Sequence, residues 1–492
     1  MDVAADRALR SSDHAELWTL RIAHTDHARL QEHLFPPGQP LDEHGAIIAA
    51  GVVRTSRGMS LLVRDIFLAR EGTDWVPGER GYRMLTAAFV NEKIRFCRDE
   101  GLAYLAVHNH GGSGSVAFSD DDLRSHERGY PALVDIGRGV PVGALVFARD
   151  AVAGDIWLPE GSRREITQAV VVGQRQRRLY PRQPAAPFGA PELFNRQVLL
   201  FGEAGQELLR RQKVGVIGAG GVGMLAVSYL AHLGVGDLVI VDPERVEASN
   251  LPRMPEATRR DAMTLLTKPS RPQWLRRLGQ RLSRPKVRLA QRSARRASRH
   301  TRVTALQADI TEAAVAGGLR NCDALILAAD SQQARVVFNA LVHQYLIPGW
   351  QIGSKIEVDG QTGTVGDVFS VVRPVMPDSG CLWCNMAVNA SRLADEALDA
   401  EQRRRQRYVD EVPAPSVITL NAIGTAQAVN DFMLSVTGLM RDEQVAHRYD
   451  FVRDHTTRGD EPRRDDTCLD CGSTSRSRRA RGDGVALPVK AP

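Results

Sequence analysis

The chain has 492 residues, 43% hydrophobic and 25% charged, the make-up of an ordinary soluble protein with two or three domains, each large enough to bury a core. Its first residues, MDVAADRALRSSDHAEL, carry charges and no apolar h-region, and no apolar run approaches the ~20 residues of a membrane span, so no signal peptide, no membrane contact and a cytoplasmic location are expected. The net charge of +6 is concentrated in Arg276–Arg302 and in the tail RSRRARG; without interleaved aromatics these read as solvated arginine-rich segments rather than a nucleic-acid surface, and residues 476–492 are expected to be a disordered basic tail.

Residues 1–160 mix strand and helix signals and form the first expected domain, of α+β type. Gly45 to Val53 and Met59 to Phe67 read as neighbouring strands. Arg83 to Glu100 has the helical spacing of Met84, Leu85, Phe89, Ile94 and Phe96. The apolar strand Leu102 to Val107 ends at His108-Asn109-His110, and Phe118-Ser119-Asp120-Asp121-Asp122 follows. Histidines at i and i+2 on a strand end point to one side. A carboxylate on the next helix turn can complete a three-ligand zinc site whose fourth position is left for water, as hydrolysis needs.

His-x-His followed by Ser-x-x-Asp resembles the JAB (Mov34/MPN) metalloprotease family and its JAMM signature. The resemblance implies His108, His110 and Asp122 as zinc ligands, Ser119 as support for the tetrahedral intermediate, and a glutamate general base, for which Glu43 is the candidate. Two departures stand out. Gly111 replaces the usual proline after the second histidine, and the loop to the serine is one residue longer. Counted at the usual length, Phe118 takes the serine position and Asp121 becomes the ligand; Ser119 with Asp122 keeps the serine–aspartate spacing. A degenerate domain without zinc is the competing reading.

Residues 161–191 are dense in arginine, proline and glycine and read as a linker. The apolar run Val214 to Ile217 then meets Gly218-Ala219-Gly220-Gly221-Val222-Gly223, a helical segment, and a second apolar run, Leu238 to Val241, ending at Asp242. Such a turn lets backbone N–H groups at a helix start approach phosphate, and an acidic residue about 20 positions on can hold ribose. This predicts a Rossmann-like α/β nucleotide-binding domain over 192–475. A P-loop is excluded, since no Gly-Lys-Ser/Thr follows the glycines. Asn250, Arg253, Lys286 (one of only six lysines) and Asp330, at the end of the apolar strand Ala324 to Ala329, suit the charge that builds up when a carboxylate attacks the α-phosphorus of ATP. A nicotinamide dehydrogenase has no need of them.

These residues make the stretch from Glu192 to Cys471 similar to the ThiF/MoeB-like adenylyltransferases of the ubiquitin-activating-enzyme superfamily. The resemblance implies that Gly218, Gly220, Gly221 and Gly223 bind nucleotide, that Asp242 holds the ribose, that Asn250, Arg253 and Lys286 contact phosphates, and that Asp330 positions Mg2+ and the reacting groups. Arg196, in Asn195-Arg-Gln197, matches the arginine that in the family often reaches the ATP of a partner subunit, which implies a homodimer through this domain. Pro415-Ser-Val417, opening a helix with Leu420-Asn421-Ala422, also fits. This chain departs from the pattern at Glu244, where a second aspartate is usual, and in a long basic insertion that includes Leu265 to Gln280. It also has no cysteine after Cys384 in the segment where conjugating members carry a catalytic one.

Cys381-x-x-Cys384 and Cys468-x-x-Cys471 read as one closed structural four-cysteine zinc site, pinning the C-terminal segment to the domain. Cys97, on the first domain's helix beside Phe96, is expected in the core or partly exposed, and Cys322 buried. Together the halves predict a bifunctional enzyme. A zinc peptidase cleaves at the C-terminus of a ubiquitin-like or sulfur-carrier protein, and an ATP- and Mg2+-dependent adenylyltransferase activates the glycine carboxylate it exposes, with an E2-like conjugating protein as a further candidate partner. A non-catalytic or NAD-binding Rossmann protein with a JAB-fold binding module is the alternative.

Overall fold

The computed structural model describes residues 17–38, 43–55, 58–76, 84–158, 160–184, 192–360, 362–398, 415–441 and 444–490. Parts of the expected N-terminal segment, of the linker (185–191), of the cysteine-free segment (399–414) and the last two tail residues lie outside them. The chain divides into two compact units. The first is Met1–Val171 with Arg178–Pro184 and Ala480–Gly484; the second is Val172–Arg177, Ala185–Arg479 and Val485–Pro492. Among the described residues no helix is long and apolar enough to cross a membrane.

The first unit runs β1 (Leu17–Ala23), α1 (His24–Leu34), β2 (Gly45–Thr55), β3 (Gly58–Leu68), β4 (Trp75–Val76), β5 (Met84–Leu85), α2 (Ala87–Glu100), β6 (Ala103–Asn109), α3 (Asp120–Gly137), β7 (Val142–Phe147), β8 (Val152–Trp157), β9 (Arg163–Val172) and β10 (Arg177–Leu179). Its sheet has the order β1-β3-β2-β6-β7-β8-β9-β10, and a further β1–β9 pairing joins the first strand to the penultimate one. Alternation along β2 feeds two cores. Ile48 and Ala50 join Leu30 and Leu34 of α1, while Ile47 and Ala49 join Phe89, Ile94 and Cys97 of α2 and Tyr130 of α3. Of the two placements open to Cys97, the core is the one found, and burial pushes its thiol up to about 12.

The second unit runs α4 (Asn195–Arg211), β11 (Lys213–Ile217), α5 (Gly221–His232), β12 (Asp237–Val241), α6 (Thr264–Thr267), α7 (Gln273–Leu282), α8 (Lys286–Ala297), β13 (Arg302–Leu306), α9 (Ala313–Leu319), β14 (Ala324–Leu327), α10 (Gln332–Tyr345), β15 (Gly349–Val358), β16 (Val365–Val375), α11 (Ala390–Ala397), α12 (Ile418–Val436), β17 (His447–Phe451) and β18 (Thr456–Asp460). Its sheet has the order β13-β12-β11-β14-β15-β16-β17-β18, with the first five strands parallel. The order reverses between β11 and β14, so a crevice opens at their carboxyl ends, where nucleotides bind in doubly wound sheets. Parallel strands are covered on both faces, which is why Val214–Ile217, Leu238–Val241 and Ala324–Leu327 are continuous apolar runs.

Two sequence expectations are corrected. Residues 161–191 are not a plain linker: Arg163–Val172 is a ten-residue strand pairing with β8, and β10 adds to the same sheet. Nor are residues 476–490, the described part of the expected disordered tail 476–492, without fixed structure. Arg478 pairs with Asp470 (2.6 Å), Arg481 with Glu100 (2.6 Å), and the Lys490 amide donates to the Thr311 carbonyl (2.9 Å). Gly482 bridges Val52 of β2, where a Cβ on Gly51 would stand 2.1 Å from the Ala480 carbonyl oxygen. A composition that reads as solvated is held because its arginines and amides meet acids and carbonyls far away in sequence.

Candidate functional site

In the first unit, β6 carries His108 within the strand and His110 one residue past its end. The two rings therefore share a side and meet edge-on at 4.9 Å. Ser119 caps α3 in a reciprocal box with Asp122, Ser119 Oγ donating to Asp122 Oδ2 at 2.7 Å. The same Oδ2 lies 3.5 Å from His108 Nε2 and 3.3 Å from His110 Nε2. Ligands about 2.0–2.1 Å from one ion in a tetrahedral array stand roughly 3.3 Å apart, so these spacings fit zinc. His108 Nε2 is buried without a hydrogen-bond partner, as a ligand atom awaiting a cation would be. Burial opposes charge on Asp122, but the two imidazoles and the Ser119 hydroxyl hold its carboxyl well below the usual range. Asp121 points elsewhere, pairing with Arg124 at 2.7 Å on the surface.

Glu43 is placed by register. Gly45 pairs with His108 across β2 and β6, and the His44 amide donates to Asn109 Oδ1 at 2.6 Å, so Glu43 stands opposite His110. The Asp122 contact is the largest influence raising His110, burial opposes it, and the Glu43 charge adds to the rise. A cleft of about 520 Å³ beside His110 is lined by Ser115–Ala117 and by Pro181 and Arg182.

In the second unit a cavity of about 630 Å³ opens at the β11/β14 crevice. Of the residues singled out in sequence, Gly218, Gly220, Gly221, Asp242, Asn250, Arg253, Lys286 and Asp330 line it. Gly218 has φ +95°, and a Cβ on Gly223 would stand 1.9 Å from the Gly218 carbonyl oxygen, so only glycine lets α5 start this close to β11. Gly223→Ala is expected to weaken ATP binding by about tenfold or more and to lower the melting temperature by several degrees, by titration calorimetry and thermal melts. Asp242 is buried; its Oδ2 accepts from the Ala219 amide (2.6 Å) and its Oδ1 from the Glu244 amide (2.8 Å). Burial raises its carboxyl above the usual range, and those amides partly offset the rise. Lys286, at the first turn of α8, is buried and pairs with Glu244, the residue at the departure from the family pattern. Asn250 Oδ1 accepts from the Glu247 amide (3.0 Å), fixing the turn before Arg253. Asp330 lies just past β14, exposed to the cavity.

Arg196 is exposed on the first turn of α4 and is not among the cavity's lining residues. Sequence reasoning passed over Ser354 and Glu396, and gave no role of their own to Arg335, in the stretch after Asp330, or to Ser416, in Pro415-Ser-Val417. Arg335, on α10 five residues after Asp330, lines the cavity, and burial depresses its guanidinium. Ser354 and Ser416 hold the Asn421 amide at 3.1 Å each, against Gly221. Glu396 of α11 accepts from the Gln332 and Gln333 amides (2.8 and 2.9 Å) at the positive start of α10. Only Arg335 carried a local signal, its spacing from Asp330.

The four cysteines come together. Cys381 Sγ lies 3.6 Å from Cys384 Sγ and 3.7 Å from Cys468 Sγ, and Cys384 Sγ lies 3.5 Å from Cys471 Sγ. Sulfurs about 2.3 Å from one tetrahedral zinc stand roughly 3.8 Å apart, so the set fits that ion. Burial pushes the Cys384 thiol up to about 11, a penalty on thiolate that a divalent cation reverses. Asn339, wholly buried on α10, links both knuckles, accepting from the Leu382 amide (2.9 Å) and donating to Asp470 (2.6 Å).

A parallel sheet with its crevice at the order reversal, a glycine turn and a buried carboxylate after the second strand define a doubly wound fold of the kind that binds nucleotides. Residues 194–469, more than half of the chain, match the ThiF family, and the chain belongs to it. The chain is similar to the molybdopterin-synthase adenylyltransferase of Escherichia coli, 29% identical over 170 residues, covering 34% of this chain and 60% of that protein. It is also similar to the sulfur carrier protein ThiS adenylyltransferase of the same organism, 31% identical over 149 residues, covering 30% of this chain and 51% of that protein. The chain thus spans about half to three fifths of these relatives. Among solved structures, the microcin C7 biosynthetic enzyme MccB with N-formylated MccA is 16% identical with a TM-score of 0.45, over 59% of this chain and 77% of that one.

Proposed function

We propose that the chain activates the C-terminal glycine of a ubiquitin-like or sulfur-carrier protein as an acyl-adenylate, after its first unit has freed that terminus by zinc-dependent hydrolysis. One observation carries the adenylation half: Asp242, Arg253, Lys286 and Asp330 converge on one glycine-cradled cavity. ATP fits there with its phosphates against Gly220–Gly223, its ribose on Asp242, and Arg253 and Lys286 neutralising phosphate charge. Asp330 suits Mg2+, which is commonly held by one or two carboxylates plus phosphate oxygens. The carrier carboxylate attacks the α-phosphorus, the bond to the β-phosphate bridge breaks, and pyrophosphate leaves. Exchange of labelled pyrophosphate into ATP, dependent on a glycine-ended carrier, tests this; its absence with every such carrier sinks the adenylation half.

The hydrolytic half is a JAB-type reading and rests on the convergence of His108, His110 and Asp122. A zinc ion held there supplies Lewis acidity toward a water and the scissile carbonyl. Glu43, facing His110, is placed to take the water proton and pass it to the leaving amine, and the Ser119 hydroxyl, on turning its one proton away from Asp122 Oδ2, to donate to the developing oxyanion. The chain as purified is expected to hold about two zinc ions, and His110→Ala about one, by elemental analysis, with ATP affinity unchanged. One zinc in both proteins would remove the hydrolytic half.

Leu193, Leu199 and Leu200 are 66%, 80% and 59% exposed around Arg196. This surface supports a homodimer in which Arg196 serves the partner's ATP. With no cysteine in the segment after Cys384, the adenylate passes directly to sulfur, an amine or an E2-like protein.

A further inference from the structure

The insertion between Arg253 and Lys286 folds into α6 and α7, and its outer face has a composition found nowhere else in the chain. Within it eight arginines and lysines stand against two carboxylates, Glu256 and Asp261. Both are already taken, Glu256 by Arg296 at 3.1 Å and Asp261 by Arg284 and Arg292 at 2.6 and 2.9 Å. Among the described residues none of Arg271, Arg276, Arg277 and Arg281 forms an ion pair. Through this basic field runs an apolar stripe. Trp274, Leu278 and Leu282, spaced i, i+4 and i+8 on α7, are 66%, 41% and 56% exposed, and Leu265 on α6 is 70% exposed. The helix is held in place along a neighbouring face, where Gly279 packs so closely on Leu266 and Thr267 that a Cβ would meet them at 2.8 Å. The stripe is therefore surplus to the fold, and a Trp–Leu stripe among unpaired arginines calls for a partner that is apolar at its centre and acidic at its rim.

The C-terminal end of the stripe, Leu282, lies close along the chain to Lys286, which lines the cavity. Ser283, directly after α7, offers its carbonyl to Arg245; the next residue but one, Pro285, bridges Arg245; and the Lys286 amide donates to the Glu244 carbonyl (3.0 Å). Glu244 and Lys286 line the cavity. Lys286 is four positions after Leu282, at most about 14 Å of chain. A flexible carboxyl-terminal tail of about five residues reaches that far from a protein seated on α7. An anionic membrane has matching charge, but it has no reason to sit beside Lys286. The acyl substrate must deliver its C-terminus there.

We infer that the α6–α7 face docks the folded body of the carrier, an acidic protein with an apolar patch, and so aims its tail at the adenylation site. The inference rests on the adenylation reading above. Docking acts on encounter and affinity, so it belongs in the carrier KM and leaves the chemical step alone.

The test is pyrophosphate exchange by the full chain with a glycine-ended carrier it activates, beginning with the ThiS carrier of Escherichia coli. Trp274→Ala/Leu278→Ala is expected to raise the carrier KM about tenfold or more, with kcat and the ATP KM within about twofold. Arg277→Glu/Arg281→Glu is expected to do the same at low salt, with the difference shrinking at about 0.5 M salt, where surface charge is screened. An unmoved carrier KM in both variants overturns the docking face and leaves adenylation standing. So does an unmoved KM accompanied by lost binding to phosphatidylglycerol vesicles, which hands the face to lipid, or by a dimer broken in light scattering, which hands it to a second copy. A wild-type chain that exchanges with no glycine-ended carrier overturns adenylation and docking together.

Discussion

Asp330→Ala is expected to lower carrier-dependent pyrophosphate exchange by about 10²- to 10³-fold, the range seen when one preorganised charge-stabilising group is removed. The site of the loss follows from the fold. Asp330 stands just past the carboxyl end of β14, lining the same cavity as Gly218, where the strand order reverses. It is exposed to the cavity and carries no packing load, so the variant should melt with the wild type. Charge develops on the α-phosphoryl oxygens and the departing pyrophosphate only during reaction. Losing the carboxylate that orients a divalent ion toward them should therefore fall on kcat, with the ATP dissociation constant moved by less than about tenfold. Quenched-flow exchange and calorimetric ATP titration together separate these effects. Unchanged exchange would mean that a different group, with Arg335 nearest at hand, organises the reacting phosphates.

What could be read in advance depended on how local the determinants are. The glycine turn, Asp242 and the apolar strands are written in consecutive residues, because a parallel strand buried on both faces needs an unbroken apolar run and a tight turn needs glycine. The His108–His110 pair was legible for the same reason, strand alternation. Glu43 was harder, since it depends on the β2–β6 register, yet a strand start opposite a strand end leaves few positions. Counting along a loop leaves Asp121 and Asp122 open; in the structure the Ser119 capping box holds Asp122, three positions on, beside both histidines, while Asp121 pairs with Arg124. The roles of Asn339, Glu396 and the C-terminal arginines had no local signal. Each acts on a partner between 8 and 381 residues away along the chain, from Arg478 on Asp470 to Arg481 on Glu100.

Cys471→Ser is expected to remove one zinc ion and to lower the melting temperature of the ThiF-type unit by roughly 5–10 °C, as loss of a structural metal does in a domain of this size. The size of the effect comes from what the four sulfurs hold. Cys381 and Cys384 follow β16, while Cys468 and Cys471 follow β18, so the ion closes a loop of more than eighty residues that includes α11, α12, β17 and β18. Asn339 ties both knuckles to α10, the helix that begins beside Asp330, and Glu396 ties α11 to the start of that same helix. Releasing the ion therefore loosens the wall of the ATP cavity as well as the C-terminal strands, and ATP affinity should fall along with stability. His110→Ala also removes one zinc, but from the other unit, and should leave both quantities alone. The two variants, matched in metal lost and opposite in consequence, separate a structural from a hydrolytic zinc. Equal effects on ATP affinity would contradict the assignment of the two metals to independent sites.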